Sequence, residues 1–184
     1  YYDFRIPAAK GWRFIVLDGN DGGYGIMSDS QIAWFRETVN NAETSGERVI
    51  CFCHYALIPD SAMHHYMAKP EPILDILDNS HCVQAWLAGH DHGGGYALRN
   101  KIHHLTFKGM VEAPRENSYA LIELYDDKIR IIGKGKEISR ELSLMQKMPL
   151  QLSIPDRMKR RERILAAVEH RESDTFEEIS GNDR

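Results

Sequence analysis

Short apolar runs broken by turn residues divide the chain. Trp12 to Asp18 (WRFIVLD), Arg48 to Cys53 (RVICFC) and Cys82 to Ala88 each read as a buried strand: brief, largely apolar and flanked by polar or glycine-containing segments. Between the first two, Ile32, Phe35, Val39 and Ala42 recur on one helical face. Ser28 and Gln31 precede that face in a capping-box pattern, and Gly46 ends it. After the second strand, residues 55–70 form a long loop with Pro59, Pro70 and a His64-His65 pair. Glu71 to Leu77 follows as a short helix, with Pro72 in the first turn, where proline is tolerated. Strand, helix, strand, helix, strand predicts parallel β-α-β units with right-handed crossovers.

Beyond Gly93-Gly94-Gly95 the pattern changes. Tyr96 to Leu98, Ile102 to Phe107, Ser118 to Tyr125 and Lys128 to Ile132 read as antiparallel strands, with turns at 99–101 and 126–127. The expected fold class is α/β, with parallel strands and crossover helices first and antiparallel strands last. From about Leu144 the composition shifts. Residues 145–184 read as a tail, with a marginal helix about 156–172 and a disordered end. Residues 1–144 form the folded part.

In a parallel sheet, ligands sit beyond the carboxyl ends of the strands. His54 follows one predicted strand at once. Gly89-His90-Asp91-His92 follows the next. Adjacent strand ends lie about 5 Å apart, so spacing alone brings His54, His90 and His92 toward one small volume. Rigid flanks and nitrogen donors at about 2.0–2.2 Å are what a metal ion requires. The bland reading, solvated histidines on a turn, is disfavoured by the strand before them and the glycines after.

Composition narrows the classes. The 184 residues are 42% hydrophobic, enough to bury a core, and carry a net charge of −4. No strongly basic field points to nucleic acid as a partner; the basic run Arg157 to Arg163 reads as a solvated helix face. No apolar stretch approaches the roughly 18 residues of a membrane span, and no signal-peptide pattern opens the chain. Cys51, Cys53 and Cys82 lie in apolar runs and read as buried free thiols of a reducing compartment, so a cytoplasmic location is expected. The first residue is Tyr1, not Met, and the chain reads as a piece of a longer protein.

The histidine pattern resembles a known family. His54 after one buried strand and Gly89-His90-Asp91-His92 after another match the last two ligand motifs of the calcineurin-like metallophosphoesterases. The run Ala88 to Tyr96, then Ile102-His103-His104-Leu105-Thr106, Gly109 to Pro114 and Ile131 to Gly135 are similar to the manganese-dependent ADP-ribose/CDP-alcohol diphosphatases. The resemblance covers roughly residues 1–142 and implies a β-sandwich flanked by helices. It implies that His54 and His90 ligate one ion and His92 another, with Mn, Fe or Zn as the two divalent ions and Mn favoured. It also implies cleavage of a diphosphate or phosphodiester bond in a nucleotide-linked small molecule by a metal-bridging hydroxide. The family's earlier motifs, Asp-X-His, Gly-Asp-X-X-Asp and Gly-Asn-His-Asp/Glu, do not occur here. The catalytic histidine of the third motif is therefore absent, and the chain resembles a carboxyl-terminal half lacking its amino-terminal partner. The alternatives are a catalytically incomplete fragment holding at most one ion, or another phosphoesterase of the superfamily.

The remaining candidates are read one by one. Asp91 is expected to turn outward or to act behind the ligands. Asp18 is expected to hydrogen-bond its own loop. His64 and His65 stand on the overhanging loop as substrate-proximal candidates or as solvated residues. Tyr96 either closes the pocket or packs in the core. His103 and His104 alternate on a strand and read as packed, and Trp34 and Trp86 as core.

Overall fold

The computed structural model describes residues 1–111 and 115–144. The expected helix about 156–172 lies outside the described residues. β1 (Tyr2–Phe4), β2 (Trp12–Leu17), α1 (Asp29–Thr44), β3 (Arg48–Cys53), α2 (Glu71–Asp78) and β4 (Val83–Ala88) come first. β5 (Gly95–Arg99), β6 (Ile102–Thr106), β7 (Ser118–Leu124), β8 (Lys128–Gly135) and β9 (Arg140–Ser143) follow. A single 3-10 turn, Pro59–Ser61, interrupts the segment between β3 and α2.

Two sheets result. The larger has the order β1-β2-β3-β4-β6-β5, and the smaller is β7-β8-β9. β2, β3, β4 and β6 run parallel, as the β-α-β pattern requires for the first three. β6 departs from expectation. It pairs with β4 in parallel and with β5 antiparallel. The β5–β6 hairpin turns at Asn100-Lys101, both with positive φ (47° and 67°). It docks through its second strand, which is buried at every position, and leaves the alternating β5 at the rim. β7, β8 and β9 are antiparallel, as expected.

The capping pattern at α1 is realised differently from its sequence reading. Ser28 does accept from the Gln31 backbone N–H (3.2 Å). The Gln31 side chain, however, is fully buried and grips Asp18, accepting from its N–H (2.8 Å) and donating to its carbonyl (2.7 Å). Asp21 takes the Ser28 N–H instead (2.8 Å). This ties the helix start to the end of β2.

The core has two layers on either face of the larger sheet. Phe35, Val39 and Ala42 from α1 and Ile73, Ile76 and Leu77 from α2 pack against Ile15, Cys51 and Trp86. On the other face Phe14, Ile50, Leu87 and Leu105 meet Ile129, Ile131 and Leu142 of the smaller sheet. Each such fully buried side chain stabilises the fold by about 1.5–3 kcal/mol. The result is a mixed sandwich with helices outside the larger sheet. The three cysteines are free and buried, and burial pushes the Cys53 thiol up to about 11 and the Cys82 thiol up to about 12.

Candidate metal centre

His54 leaves β3 and His90 leaves β4, which are parallel neighbours, so both strands end at one rim. The backbone joins the two exits: the Gly89 N–H donates to the His54 carbonyl (3.0 Å). The rings follow. His54 Nε2 faces His90 Nδ1 at 2.9 Å, with ring centroids 4.8 Å apart. His90 holds φ at +65°, a left-handed conformation that is uncommon outside glycine and collects at functional sites.

The chemistry of this pair suits a cation. Burial and the neighbouring His54, His65 and His92 push the His90 pKa below its ordinary value, so its ring is neutral near pH 7. Two imidazole nitrogens about 2.1 Å from one ion and at right angles to each other lie about 3.0 Å apart. The observed 2.9 Å is the length of an N–H···N hydrogen bond between the two rings and lies close to that spacing. Among the described residues, no group of three or more His, Cys, Asp or Glu side chains is arranged to hold an ion. The visible donor set is therefore two nitrogens and no carboxylate.

His92 lies farther along the same loop. Its carbonyl accepts from the Gly109 N–H (3.0 Å), and its ring occupies the space beside Gly109, where a Cβ would come within 2.7 Å of it. The His65 ring centroid lies 5.2 Å from that of His90, while His64 neighbours His65 at 6.4 Å. Asp91 is 5% exposed, and its carboxylate is engaged by backbone N–H groups. Its Oδ2 accepts from the backbone N–H groups of His64 (2.8 Å) and His65 (3.2 Å), and its Oδ1 from Gly93 (3.1 Å). Burial alone would raise its pKa, but these three hydrogen bonds outweigh it and hold the carboxyl below its usual range.

Other candidates sit elsewhere. The Tyr96 hydroxyl pairs with His103 Nδ1 (2.9 Å), whose Nε2 meets the Ser143 carbonyl (2.8 Å). The Arg140 guanidinium lies 5.5 Å over the Tyr96 ring. That arrangement places Tyr96 with β6 and β9 and not beside His54 and His90. His104 is buried, as is Trp86, and Trp34 packs partly buried against the core. Asp18 Oδ1 accepts from the Asn20 N–H (2.8 Å) and so braces its own loop.

Three residues escaped sequence reasoning. The Tyr24 hydroxyl contacts His90 Nε2 (3.2 Å). The Tyr55 ring lies 4.6 Å from that of His90 and 5.1 Å from that of His54. Its hydroxyl donates to Asn20 Oδ1 (3.0 Å), which also accepts from the Gly25 N–H (3.1 Å). The available signal was topological: the glycine-rich loop 19–25 leaves the carboxyl end of β2, at the same rim.

No family model matches the chain. Individual relatives do. It is 33% identical over 133 residues to the manganese-dependent ADP-ribose/CDP-alcohol diphosphatase of Xenopus tropicalis, covering 71% of this chain and 37% of that protein. The Xenopus laevis protein of the same name is 32% identical over 134 residues, covering 71% and 36%. The fold superposes on a dimetal phosphatase from Danio rerio with a TM-score of 0.63 and 26% identity, over 65% of this chain and 39% of that one. The chain thus spans between a third and two-fifths of the length of these relatives. In sequence and in fold, it is a homologue of part of the manganese-dependent ADP-ribose/CDP-alcohol diphosphatases and shares the dimetal-phosphatase architecture of the calcineurin-like metallophosphoesterases.

Proposed function

We propose that this chain supplies one side of a two-metal phosphohydrolase centre acting on nucleotide-linked small molecules of the ADP-ribose or CDP-alcohol type. The observation that carries the reading is the 2.9 Å approach of His54 Nε2 and His90 Nδ1 at the rim of a parallel sheet. His54 and His90 hold one divalent ion, Mn, Fe or Zn with Mn favoured by the relatives' names, and His92 contributes to a second. Divalent ions at such a centre lower the pKa of water and screen phosphate oxygens, which answers both obstacles to phosphate-ester hydrolysis.

The chain's own residues prepare that chemistry. Gly89 and the left-handed turn at His90 aim the imidazoles before any ion arrives. Burial, with the neighbouring histidines, lowers the His90 pKa and so favours the neutral ring, the form a cation binds. His65, its ring 5.2 Å from that of His90, is the residue to meet a bound phosphate, with His64 beside it. Tyr55 and Tyr24 also pack against His90.

A second reading follows from the donor set. Imidazoles alone bring no negative charge, so the 184 residues by themselves hold a single ion and do not turn over substrate. The test covers both. Mn²⁺-dependent hydrolysis of ADP-ribose and CDP-choline is assayed with the 184-residue chain and with the whole protein that carries it, each beside its His90→Ala variant. Activity of the whole protein that is abolished by the substitution supports the first reading. Activity that survives it, or no activity with either substrate, rejects it. Turnover by the 184 residues alone rejects the second reading.

A further inference from the structure

Asp91 sits between two metal-ligand candidates, yet its carboxylate is engaged by the backbone of other residues. We propose that Asp91 is a positioning residue that clamps the His64-His65 turn over the His54–His90 pair, making His65 a phosphate-contacting imidazole; the phosphate contact rests on the function proposed here, whereas the clamp does not.

The clamp is built like an anion site. Two successive backbone N–H groups, from His64 and His65, converge on one carboxylate oxygen at 2.8 and 3.2 Å. Converging N–H groups of this kind form a concavity that binds negative charge. Here the anion is internal. It is fastened in turn by the Gly93 N–H on its other oxygen and is 5% exposed. His65 Nδ1 also lies 4.0 Å from Asp91 Oδ2. Only a side chain with an acceptor at this position can hold the turn: a methyl group in its place leaves the His64, His65 and Gly93 N–H groups without this partner.

The segment has a second anchor that leaves the turn itself to Asp91. Ser61 packs so closely on β5 that a Cβ at Gly95 would lie 2.3 Å from its carbonyl oxygen. Past the turn, the Met67 N–H returns to the Ala56 carbonyl (2.8 Å). Between these points the His65 side chain is 60% exposed. It overhangs His90 because its backbone is held, since its ring is not packed into the core. One carboxylate therefore links the metal-ligand loop to the loop above it.

The experiment uses the 184-residue chain. Amide hydrogen exchange without metal is read first. The His64 and His65 amides are expected to be protected despite their exposed side chains, and Asp91→Ala, which removes the acceptor, is expected to speed their exchange at least about 10-fold without lowering protection in β3 and β4. Unprotected amides in the unmodified chain, or unchanged exchange in the variant, overturn the clamp. If Asp91→Ala unfolds, the first of these measurements still decides. The zinc-loaded chain is then titrated with inorganic pyrophosphate. His65→Ala and Asp91→Ala are each expected to weaken binding several-fold, and the double variant no further than the stronger single one. Additive losses overturn the claim that Asp91 acts through His65. Absence of pyrophosphate binding by the unmodified zinc-loaded chain overturns the phosphate contact and counts against the proposed function, while the exchange result stands by itself.

Discussion

His54 Nε2 and His90 Nδ1 face each other at 2.9 Å across two neighbouring parallel strands. Only a shared proton fits on the line between them, an ion bound by both would stand to one side of that line, and both rings are presented by the backbone. Replacing either with alanine removes one of two visible donors. Since even a group that only supports a ligand typically costs 10–100-fold in metal affinity, His54→Ala and His90→Ala are each expected to weaken Zn²⁺ binding by at least about 100-fold. Calorimetric titration of the chain checks this; a change below threefold would remove the pair as a site.

His92 can be disturbed without touching that pair. A Cβ on Gly109 would lie 2.7–2.9 Å from three atoms of His92, too near for any real contact. Gly109→Ala is expected to shift the His92 ring resonances, leave those of His54 and His90 in place, and cost about 1–3 kcal/mol as overpacking. Equal shifts at all three rings would show that the loop moves as a whole.

His104 makes the fold acid-sensitive. It is buried, its Nδ1 has no hydrogen-bond partner, and burial pushes its pKa down to about 4. Unfolded, it titrates near 6.5, so between about pH 6.5 and 4 the unfolded chain binds more protons. Stability from this group is complete above 6.5 and falls with pH across that window by about 3 kcal/mol. Urea unfolding at pH 7 and pH 4.5 reads the loss. His104→Leu is expected to flatten it, and an unchanged pH slope would assign the acid sensitivity elsewhere.

The β5–β6 turn carries removable strain. Lys101 holds φ at +67°, where a side chain costs roughly 1 kcal/mol and glycine costs nothing sterically. Lys101→Gly is expected to raise unfolding stability by up to about 1 kcal/mol in thermal or urea unfolding. A loss would mean that the lysine side chain makes contacts that outweigh the strain.

Much of this was legible from the chain. Periodicity placed α1, α2 and the three parallel strands because their apolar spacing directly reflects burial. The convergence of His54 with His90 followed from strand order alone. The direction of β6 did not, since Ile102-His103-His104 looks like half-buried alternation, and nothing local shows which hairpin strand docks on β4. β1 and β9 were missed for a related reason: Tyr2–Phe4 is three residues long, and Arg140–Ser143 alternates charge with a single buried Leu142. Gln31 looked like a cap and is buried, because its amide serves the end of β2 better than the solvent-facing helix start. Tyr24, Tyr55 and Asn20 reach the site through loop closure, which spacing does not encode.

The peptide hydrogen bond from Gly89 to the His54 carbonyl has a final consequence. It welds two strand exits into one body, so thermal drift of either imidazole carries the other along. The entropy of bringing the nitrogens together is therefore lost during folding and not during ion capture. Association should consequently be fast and limited by desolvation of the incoming cation, with little dependence on loop ordering.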